Sequence, residues 1–323
     1  MSKGNLSAMA QIPVAQAALS DSSPSTRPGA QAEPAQAPVG SAVPGRSAAA
    51  PARVADSASA ASGPAPIGPL ATRVTGAGPG LLLAHGAGGS VKDNFVPILP
   101  ALAAGHTVVA SDYPGAGETP RSTTPLHLDG LADAVVAEAV AAGVETFTLV
   151  GYSLGSAVAV RAATRHPERV RGLVLTAGLA RADNRARTTL ALWLRLLALE
   201  DRRAFAELVA LTGFAPATYQ GLAADALEPL LADIAASVPP GTPEHAALVL
   251  EVDTVADLPR VSVPTLVIAT TADLLVDPAN SRVLADAIPG AEYAELDTGH
   301  VPMVERPAEW ADLITDFLAR HGL

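Results

Sequence analysis

The chain has no cysteine, which excludes disulfide bonds, thiolate nucleophiles and cysteine zinc sites. Aromatic residues make up only 3% of its 323 residues, which argues against a stacking platform for single-stranded nucleic acid. The formal net charge of −11 argues against binding along a phosphate backbone. No apolar run approaches the ~20 residues of a membrane-spanning helix. We therefore expect a protein that binds neither nucleic acid nor membrane, and a cytoplasmic location.

The first 66 residues differ in composition from the rest of the chain. About two thirds of them are Ala, Ser, Pro or Gly, and none is aromatic. Such a segment cannot bury enough apolar surface to offset its ordering entropy. Gln11 and Gln16 also interrupt any apolar stretch of the signal-peptide type. We predict a disordered tail over residues 1–66, with a linker, a targeting segment and a misplaced start codon all left open, and a folded domain over residues 67–323.

From about Ile67 onward, short apolar runs alternate with amphipathic segments. This alternation predicts a mostly parallel, doubly wound α/β sheet covered by helices on both faces. Strands are predicted over residues 81–84, 107–110, 146–150, 173–175, 265–269 and 293–296. Helices are predicted over residues 95–104, 128–142, 156–165, 278–287 and 308–320.

The alternation stops between residues 179 and 259. Apolar residues there fall at helical spacing, for example Leu190, Trp193 and Leu197. Helices are predicted within this stretch over residues 185–199, 201–211, 225–236 and 244–252. We interpret residues 179–259 as a helical cap inserted into the α/β domain.

The motif Gly151-Tyr152-Ser153-Leu154-Gly155 connects a predicted strand to a predicted helix. A serine with glycines two residues away on either side, in that context, is typical of a nucleophile elbow. The turn is so tight that side chains at the two outer positions would collide, which is why glycine is needed there. We predict that Ser153 is a nucleophile held at the carboxyl edge of the sheet.

A serine hydroxyl needs a base to take its proton, and the base needs a third group to orient it. His300, in the segment Thr298-Gly299-His300-Val301-Pro302, follows the last predicted strand, so its loop can reach back over the sheet edge. We predict that His300 is the base. Five other histidines in polar or helix-boundary settings are interpreted as exposed and structural: His106, His127, His166, His245 and His321.

The predicted orienting acid is Asp273, which follows the strand at residues 265–269. Asp277 precedes Pro278 and is interpreted as a helix N-cap. Asp183 lies several residues beyond its strand and stays open as an alternative acid.

A developing oxyanion needs at least two preorganised donors. One predicted donor is the N–H of Leu154, at a helix N-terminus where the dipole favours negative charge. The second is the N–H of Ala87, in the glycine-rich loop at residues 85–90. His85 is interpreted as an anchor of this loop. The loop lacks the Lys-Ser/Thr ending of a phosphate-binding loop, which excludes that function.

Two aromatic residues are candidates for a substrate pocket, namely Tyr152 in the elbow and Trp193 in the inserted stretch. Trp310 is expected in the core. No cluster has metal-ligand spacing, so no metal is predicted. Three arginines are interpreted as solvated, or else as a rim that attracts an anionic substrate: Arg181, Arg185 and Arg187.

Together these motifs resemble the α/β-hydrolase superfamily, over about residues 80–321. The order of Ser153, Asp273 and His300 is the order of that family. The chain looks most like single-domain bacterial esterases, enol-lactonases and cofactor-free haloperoxidase-like proteins. The resemblance implies the α/β-hydrolase fold and a serine hydrolase without a cofactor, acting on a small-molecule ester, lactone or thioester.

The chain departs from the family pattern at its amino-terminal edge. The family often has eight strands, yet only residues 67–76 remain for strands before Leu81. The edge is therefore expected to be shortened, or completed by part of the tail. Tyr152 also stands where the family often has histidine.

The expected reaction is cleavage of a carboxylic ester or lactone through an acyl-enzyme on Ser153. A thioesterase or cyclase of a biosynthetic pathway and a non-hydrolytic lyase or perhydrolase are alternatives with the same residues. A non-catalytic binding protein is an alternative of another class. The oligomeric state is left open by the sequence.

Overall fold

A computed structural model describes residues 67–323, so the tail predicted over residues 1–66 lies outside the described residues. Seven strands form one sheet in the spatial order β1-β3-β2-β4-β5-β6-β7. The strands are β1 (Ala71–Thr75), β2 (Gly80–Ala84), β3 (Thr107–Asp112), β4 (Phe147–Tyr152), β5 (Val170–Thr176), β6 (Thr265–Thr270) and β7 (Glu292–Leu296). β1 pairs antiparallel with β3, and the other pairs are parallel. The prediction of a mostly parallel, doubly wound sheet is confirmed.

The amino-terminal edge of the sheet is short, because β1 is the one strand that precedes β2 within the described residues. Side chains accept hydrogen bonds from the backbone N–H groups at the start of this edge strand. The N–H of Leu70 donates to Glu138 at 2.9 Å, and the N–H of Ala71 donates to the hydroxyl of Thr119 at 2.8 Å. These hydrogen bonds pair backbone groups that would otherwise be exposed at the edge of the sheet.

Helices cover both faces of the sheet. Four precede β5: α1 (Val91–Phe95), α2 (Leu99–Ala103), α3 (Leu128–Ala141) and α4 (Leu154–Arg165). Five lie between β5 and β6: α5 (Asn184–Ala198), α6 (Arg202–Gly213), α7 (Pro216–Gln220), α8 (Leu227–Ser237) and α9 (Thr242–Glu251). Three more complete the fold: α10 (Ala279–Ala287), α11 (Pro302–Glu305) and α12 (Pro307–His321). The helices α5–α9, inserted between β5 and β6, are referred to as the cap.

The helix predicted over residues 95–104 is wrong, because two short helices, α1 and α2, occupy this region. Ser90 caps α1 by accepting a hydrogen bond from the Asp93 N–H, which starts the helix earlier than expected. Pro97 has no N–H to continue it, and Pro100 sits in the first turn of α2, where proline is tolerated. The short helices α7 and α11 were also not predicted.

The side chains of β2 alternate between two apolar layers, as the pleat of a strand requires. Leu82 packs in the layer that contains α3 and α4. Leu81 and Leu83 point to the opposite layer, with Phe95 and Trp310. Trp310 is fully buried, which confirms its expected place in the core. Burying such large side chains stabilises the fold by about 1.5–3 kcal/mol each, and it makes the sheet a rigid base for the loops at its carboxyl edge.

The cap has an apolar cluster of its own, formed by α6, α8 and the residues that follow α6. Its centre contains Ala206, Phe214 and Leu231, all nearly inaccessible to solvent. The cap therefore has internal packing that keeps its helices together above the sheet edge. None of the helices in residues 67–323 has both the length and the apolar character needed to cross a bilayer.

Candidate active site

The turn from β4 to α4 places Ser153 at the carboxyl edge of the sheet. Ser153 has φ = 53°, a left-handed conformation that is strained for a residue with a side chain. Its N–H donates to the Thr176 carbonyl at 2.9 Å, which ties the turn to β5. A Cβ on Gly151 would collide with the carbonyl of Gly155, and one on Gly155 with the carbonyl of Ala84. The two glycines are therefore needed for the close approach that the motif predicts.

The loop between β7 and α11 brings His300 to this serine. The Nε2 atom of His300 lies 3.0 Å from Ser153 Oγ and accepts the hydroxyl hydrogen. Its Nδ1–H donates to Oδ2 of Asp273 at 2.7 Å. Ser153, Asp273 and His300 are all buried. The three predicted residues, far apart in sequence, thus form one hydrogen-bonded chain.

The loop after β6 holds the Asp273 carboxylate from both sides. Its Oδ1 atom accepts the N–H groups of Leu275 and Val276 at 2.8 and 2.9 Å. Its Oδ2 atom accepts the Thr270 hydroxyl at 2.9 Å in addition to the His300 ring. The carboxylate is therefore fixed in the orientation that faces the imidazole.

The two alternative acids hold backbone near helix starts instead. Asp183 is the N-cap of α5, whereas Asp277 lies one residue before the N-cap of α10, which is Pro278, so the interpretation of Asp277 as an N-cap is wrong. Asp183 accepts the Ala186 N–H at 2.8 Å at the start of α5, and its second oxygen accepts from Asn280. Asp277 accepts the Ala279 N–H at 3.0 Å at the start of α10. The structure brings neither of them to His300.

The first predicted oxyanion donor, Leu154, is the first residue of α4. Its N–H has no partner within the helix, because the first four N–H groups of an α-helix are unpaired by geometry. It directly follows the candidate nucleophile, so the positive end of the helix dipole lies at the reacting centre.

The second predicted donor, Ala87, lies in a loop whose neighbouring peptides are both held by side chains. The Gly86 N–H donates to Oδ1 of Asn94 at 2.9 Å. The Gly88 N–H donates to Nδ1 of His245 at 3.3 Å. The Ala87 N–H itself has no hydrogen-bond partner among residues 67–323.

His85 anchors this loop, as the sequence predicts. Its ring is fully buried, donates to the Gly86 carbonyl at 2.8 Å and accepts the Tyr113 N–H at 2.9 Å. Burial, and secondly the nearby His245, lower the pKa of His85 to about 3. The ring is therefore neutral near pH 7 and has a structural role.

The prediction that His245 is exposed is wrong. The side chain is fully buried between α9 and the core, where its Nε2–H donates to the Pro114 carbonyl at 3.0 Å. Burial lowers the pKa of His245 to about 4. The reason is that α9 turns the face bearing His245 toward the loop at residues 85–90, a packing that the local sequence setting does not show. The other four histidines of that group are only partly buried or are exposed.

Comparison with known proteins identifies the family. The family model described as the alpha/beta hydrolase fold matches residues 79–307. The chain is an α/β hydrolase. The resemblance inferred from the sequence is thereby confirmed, and with it the expectation of an enzyme that acts as a hydrolase.

Two relatives match most of the hydrolase. Pyrrolizixenacetamide deacetylase of Xenorhabdus hominickii is 38% identical over 247 residues, which cover 76% of this chain and 92% of the relative. A protein of Azorhizobium caulinodans that is named as the carbamate hydrolase RutD is 33% identical over 229 residues, or 70% of this chain and 85% of the relative. Among solved structures, the enol-lactonase from Burkholderia xenovorans LB400 is similar with a TM-score of 0.69 and 26% identity, covering 77% of this chain and 96% of that one.

A cavity of about 640 Å³ lies over Ser153 and His300 in this hydrolase. Apolar side chains of the cap form most of its far wall: Leu190, Trp193, Phe205, Val209, Phe214 and Ile234. Tyr152 lines the cavity too, and its hydroxyl donates to the His300 carbonyl at 2.6 Å. Burial raises the pKa of Tyr152 well above its ordinary value, with smaller contributions from the charges of Asp273 and Glu305, so its hydroxyl stays protonated.

The three arginines at the start of the cap lie elsewhere. Arg181 pairs with Asp253 at 2.6 Å, and Arg185 lies 3.7 Å from Asp277. None of the three borders the cavity. The position of these arginines fits the interpretation that they are solvated, and it does not fit a rim that attracts an anionic substrate.

Proposed function

We propose that this hydrolase cleaves carboxylic esters or lactones through an acyl-enzyme on Ser153. The observation that carries the proposal is the chain of hydrogen bonds from Ser153 to His300 to Asp273, at the base of a cavity. The hydroxyl and the imidazole are at hydrogen-bond distance, as a nucleophile and its general base need to be.

In the proposed first half-reaction, Ser153 Oγ attacks the acyl carbon while His300 Nε2 takes the hydroxyl proton. The bond from carbon to the leaving oxygen then breaks, and the same proton passes from Nε2 to the departing alcohol or ring oxygen. In the second half-reaction a water molecule gives a proton to His300 Nε2 and its oxygen attacks the acyl carbon. The bond from that carbon to Ser153 Oγ then breaks, and the proton passes from Nε2 back to Oγ, which releases the acid and restores the serine. Asp273 stays ionised throughout and holds the imidazole with Nδ1 protonated.

The N–H groups of Leu154 and Ala87 are the proposed oxyanion donors. One is at the start of α4, directly after Ser153, and the other is in the loop after β2, whose Gly86 approaches the Ser153 side chain. Removal of one such donor from a serine hydrolase costs about 10²–10³ in kcat. Because both donors are backbone groups, replacement of a single side chain would not remove either of them directly.

The shape and lining of the cavity support a medium-sized substrate with an apolar acyl or alcohol part. A volume of about 640 Å³ is within the range of small-molecule sites. Its charged lining residues are Lys92, Asp93 and Asp233, while Ser153 and His300 lie against mainly apolar side chains. The apolar part of a substrate would bury surface against the cap, and its carbonyl would face the serine.

Hydrolysis of an N-acyl amide is a second candidate. It is favoured by the 38% identity to a protein named as a deacetylase of an acetamide, over 92% of that relative's length. The proposed steps are the same, except that His300 protonates a departing amine instead of an alcohol.

The test is a substrate panel with wild-type protein and the variant Ser153→Ala. The panel contains p-nitrophenyl esters of increasing acyl length, lactones, acyl thioesters and N-acetyl amides. We expect Ser153→Ala to lose at least about 10³-fold in turnover, because it removes the nucleophile, while its melting temperature stays close to wild type. Labelling by a fluorophosphonate should be present in wild type and absent in the variant.

Turnover by Ser153→Ala at the wild-type rate would contradict the proposed mechanism. A preference for thioesters would favour the thioesterase or cyclase alternative, and turnover without hydrolysis would favour a lyase. Absence of both labelling and turnover would favour a binding protein.

A further inference from the structure

His245 joins the cap to two loops of the α/β core. It lies on α9 and is fully buried. Its Nε2–H donates to the carbonyl of Pro114 at 3.0 Å, in the loop after β3. Its Nδ1 atom accepts the Gly88 N–H at 3.3 Å, in the loop after β2 that contains Ala87.

The side chains that hold the N–H groups on either side of Ala87 come from different parts of the molecule. On one side of Ala87, the Gly86 N–H is held by Asn94 of α1, which belongs to the core. On the other side, the Gly88 N–H is held by His245, which belongs to the cap. Between them the Ala87 N–H is left free among the described residues. The carbonyl of the peptide that carries this N–H, that of Gly86, is held by His85 of the core at 2.8 Å. The direction of the Ala87 N–H therefore depends on the core through Asn94 and His85, and on the cap through His245 and the next peptide.

Gly88 itself is enclosed by the cap. It has φ = 69°, and a Cβ added to it would lie 3.0 Å from Thr242 Cγ2 and 3.2 Å from Trp193 Cζ3. Thr242 is on the same helix as His245, and Trp193 lines the cavity. The cap thus packs on the Gly88 peptide and also bonds to it.

We propose that His245 is a positioning residue, which uses its Nδ1 atom to hold the Gly88 peptide so that the Ala87 N–H stays directed at the substrate oxyanion. This inference rests on the proposed serine mechanism. It makes the cap part of the catalytic machinery as well as the wall of the pocket, because movement of α9 would move an oxyanion donor.

The two contacts admit a single form of the ring. The Gly88 N–H can only donate and the Pro114 carbonyl can only accept, so Nδ1 has to be unprotonated and Nε2 protonated. The alternative neutral tautomer and the charged imidazolium both place a hydrogen on Nδ1, facing another N–H group.

A purely structural role for His245 would be to dock α9 on the core. The helix has a second docking contact of that kind, from the Gly241 N–H to the Gly115 carbonyl at 2.9 Å. Two amide variants separate docking from positioning, since the side-chain oxygen of Asn occupies the place of Nδ1 and the side-chain nitrogen of Gln the place of Nε2. His245→Asn keeps an acceptor for Gly88, whereas His245→Gln keeps a donor for Pro114.

The experiment measures kcat and KM for p-nitrophenyl butyrate with wild type and both variants, each with a thermal unfolding curve. We expect His245→Gln to lose at least about tenfold in kcat with KM changed less than about twofold, which is part of the cost of losing a whole oxyanion donor. We expect His245→Asn to keep kcat within about threefold of wild type. An Asn variant that loses as much kcat as the Gln variant, or a Gln variant with wild-type kcat, would overturn the proposal.

A second measurement needs no variant to fold. The ¹⁵N NMR spectrum of wild-type protein at pH 7 should show His245 as the Nε2–H tautomer, with Nδ1 unprotonated. A proton on Nδ1 would overturn the inference whatever the kinetics. If Ser153→Ala retained ester turnover, the proposed function would be contradicted. The tautomer of His245 would still show whether its Nδ1 atom can accept the Gly88 N–H.

Discussion

At the scale of single residues, the reaction depends on which nitrogen of His300 carries the proton. Nε2 has to be free to accept from Ser153, so the proton has to be on Nδ1. The carboxylate of Asp273 selects this tautomer because it can only accept from Nδ1. The other partners of Asp273 are two backbone N–H groups and one hydroxyl, all of them uncharged. His300 is therefore the one hydrogen-bond partner of this carboxylate, among the described residues, that can take up a positive charge.

The substitution Asp273→Asn tests this dependence. The amide oxygen can still accept the N–H groups of Leu275 and Val276, which leaves the amide nitrogen facing His300 as a donor. The imidazole would then turn to the wrong tautomer, with a proton on Nε2. We expect kcat to fall about 10³-fold or more with a small change in melting temperature, measured by ester turnover and thermal unfolding.

The two alternative acids supply the control for Asp273→Asn. Asparagine can accept the same N–H group as an N-cap at position 183 and in the turn at position 277, so Asp183→Asn and Asp277→Asn should both keep kcat. An Asp273→Asn enzyme within tenfold of wild type, or a comparable loss in either control, would show that the orienting acid is wrongly assigned.

Three side chains of the candidate site could be named from the sequence because each follows a predicted strand or turn. Ser153 is marked by the glycines that its tight turn requires, and His300 and Asp273 follow the last two parallel strands. His245 could not be named from its polar setting. Its signal was spacing, because Thr242, His245 and Val249 repeat at helical intervals and share the buried face of α9.

At the scale of elements, one side chain couples the loop of His300 to the cap. Oε1 of Glu305 accepts the Gly299 N–H at 3.1 Å and the Ala215 N–H at 3.0 Å. Its Oε2 atom accepts the Thr218 hydroxyl at 2.8 Å. Burial raises the pKa of Glu305, and these three donors partly oppose that shift. The carboxylate therefore holds the residue before His300 against the start of α7.

We predict that Glu305→Ala and Glu305→Gln differ sharply. Alanine leaves two N–H groups without their partner, each at a cost of about 1–3 kcal/mol, and it frees the loop that carries His300. We expect a lower free energy of unfolding and a kcat reduced about tenfold or more, measured by denaturant unfolding and ester turnover.

Glutamine is the matched control for Glu305→Ala, because its amide oxygen can still accept both N–H groups and its nitrogen can donate to Thr218. Glu305→Gln should therefore keep most of the stability and the kcat. Equal behaviour of the two variants would mean that this link does not position His300.

The strands were easier to predict than the helices, for a physical reason visible at residues 91–104. A buried parallel strand is a short, nearly continuous apolar run, and at residues 81–84 the glycines Gly80 and Gly86 on either side argue against a helix. The helical pattern of Phe95 and Leu102 is genuine, since both are buried, but Pro97 divides it into α1 and α2. The helical pattern of buried residues thus continues from α1 into α2, although the helix itself is interrupted between them.

At the scale of the whole molecule, the packing of the cap on the core is what the sequence could not supply. Residues 179–259 show helical spacing, which marks a buried face on each helix but does not say which segment of the core that face meets. The contact of His245 with both Gly88 and Pro114 follows from the tertiary arrangement of three segments. Cap geometry is therefore accessible from the structure and not from motifs.

Two buried histidines at the boundary of cap and core make the stability of the molecule depend on pH. The folded-state pKa of His245 is about 4 and that of His85 about 3, both below the ordinary histidine value of 6.5. Between pH 6.5 and these values the unfolded chain binds more protons than the folded one, so stability falls as pH falls. For His245 the shift corresponds to roughly 3 kcal/mol.

The groups that face His245 are His85, Tyr113 and the neighbouring Glu244. Burial raises the pKa of Tyr113 far above this range, so it does not titrate there. The pKa of Glu305 is raised by burial, so its titration acts in the opposite sense, with stability falling as pH rises. A comparison within one protein background is therefore needed to isolate the histidine.

We predict that His245→Asn flattens the acid limb of the stability curve. Wild type should lose unfolding free energy steadily from about pH 6.5 to pH 4, whereas the variant lacks one of the two buried histidines and should lose less. Denaturant unfolding at half-unit pH steps measures both slopes. Since every other titrating group is shared by the two proteins, equal slopes would mean that His245 is not the buried neutral imidazole on which the contact between cap and core depends.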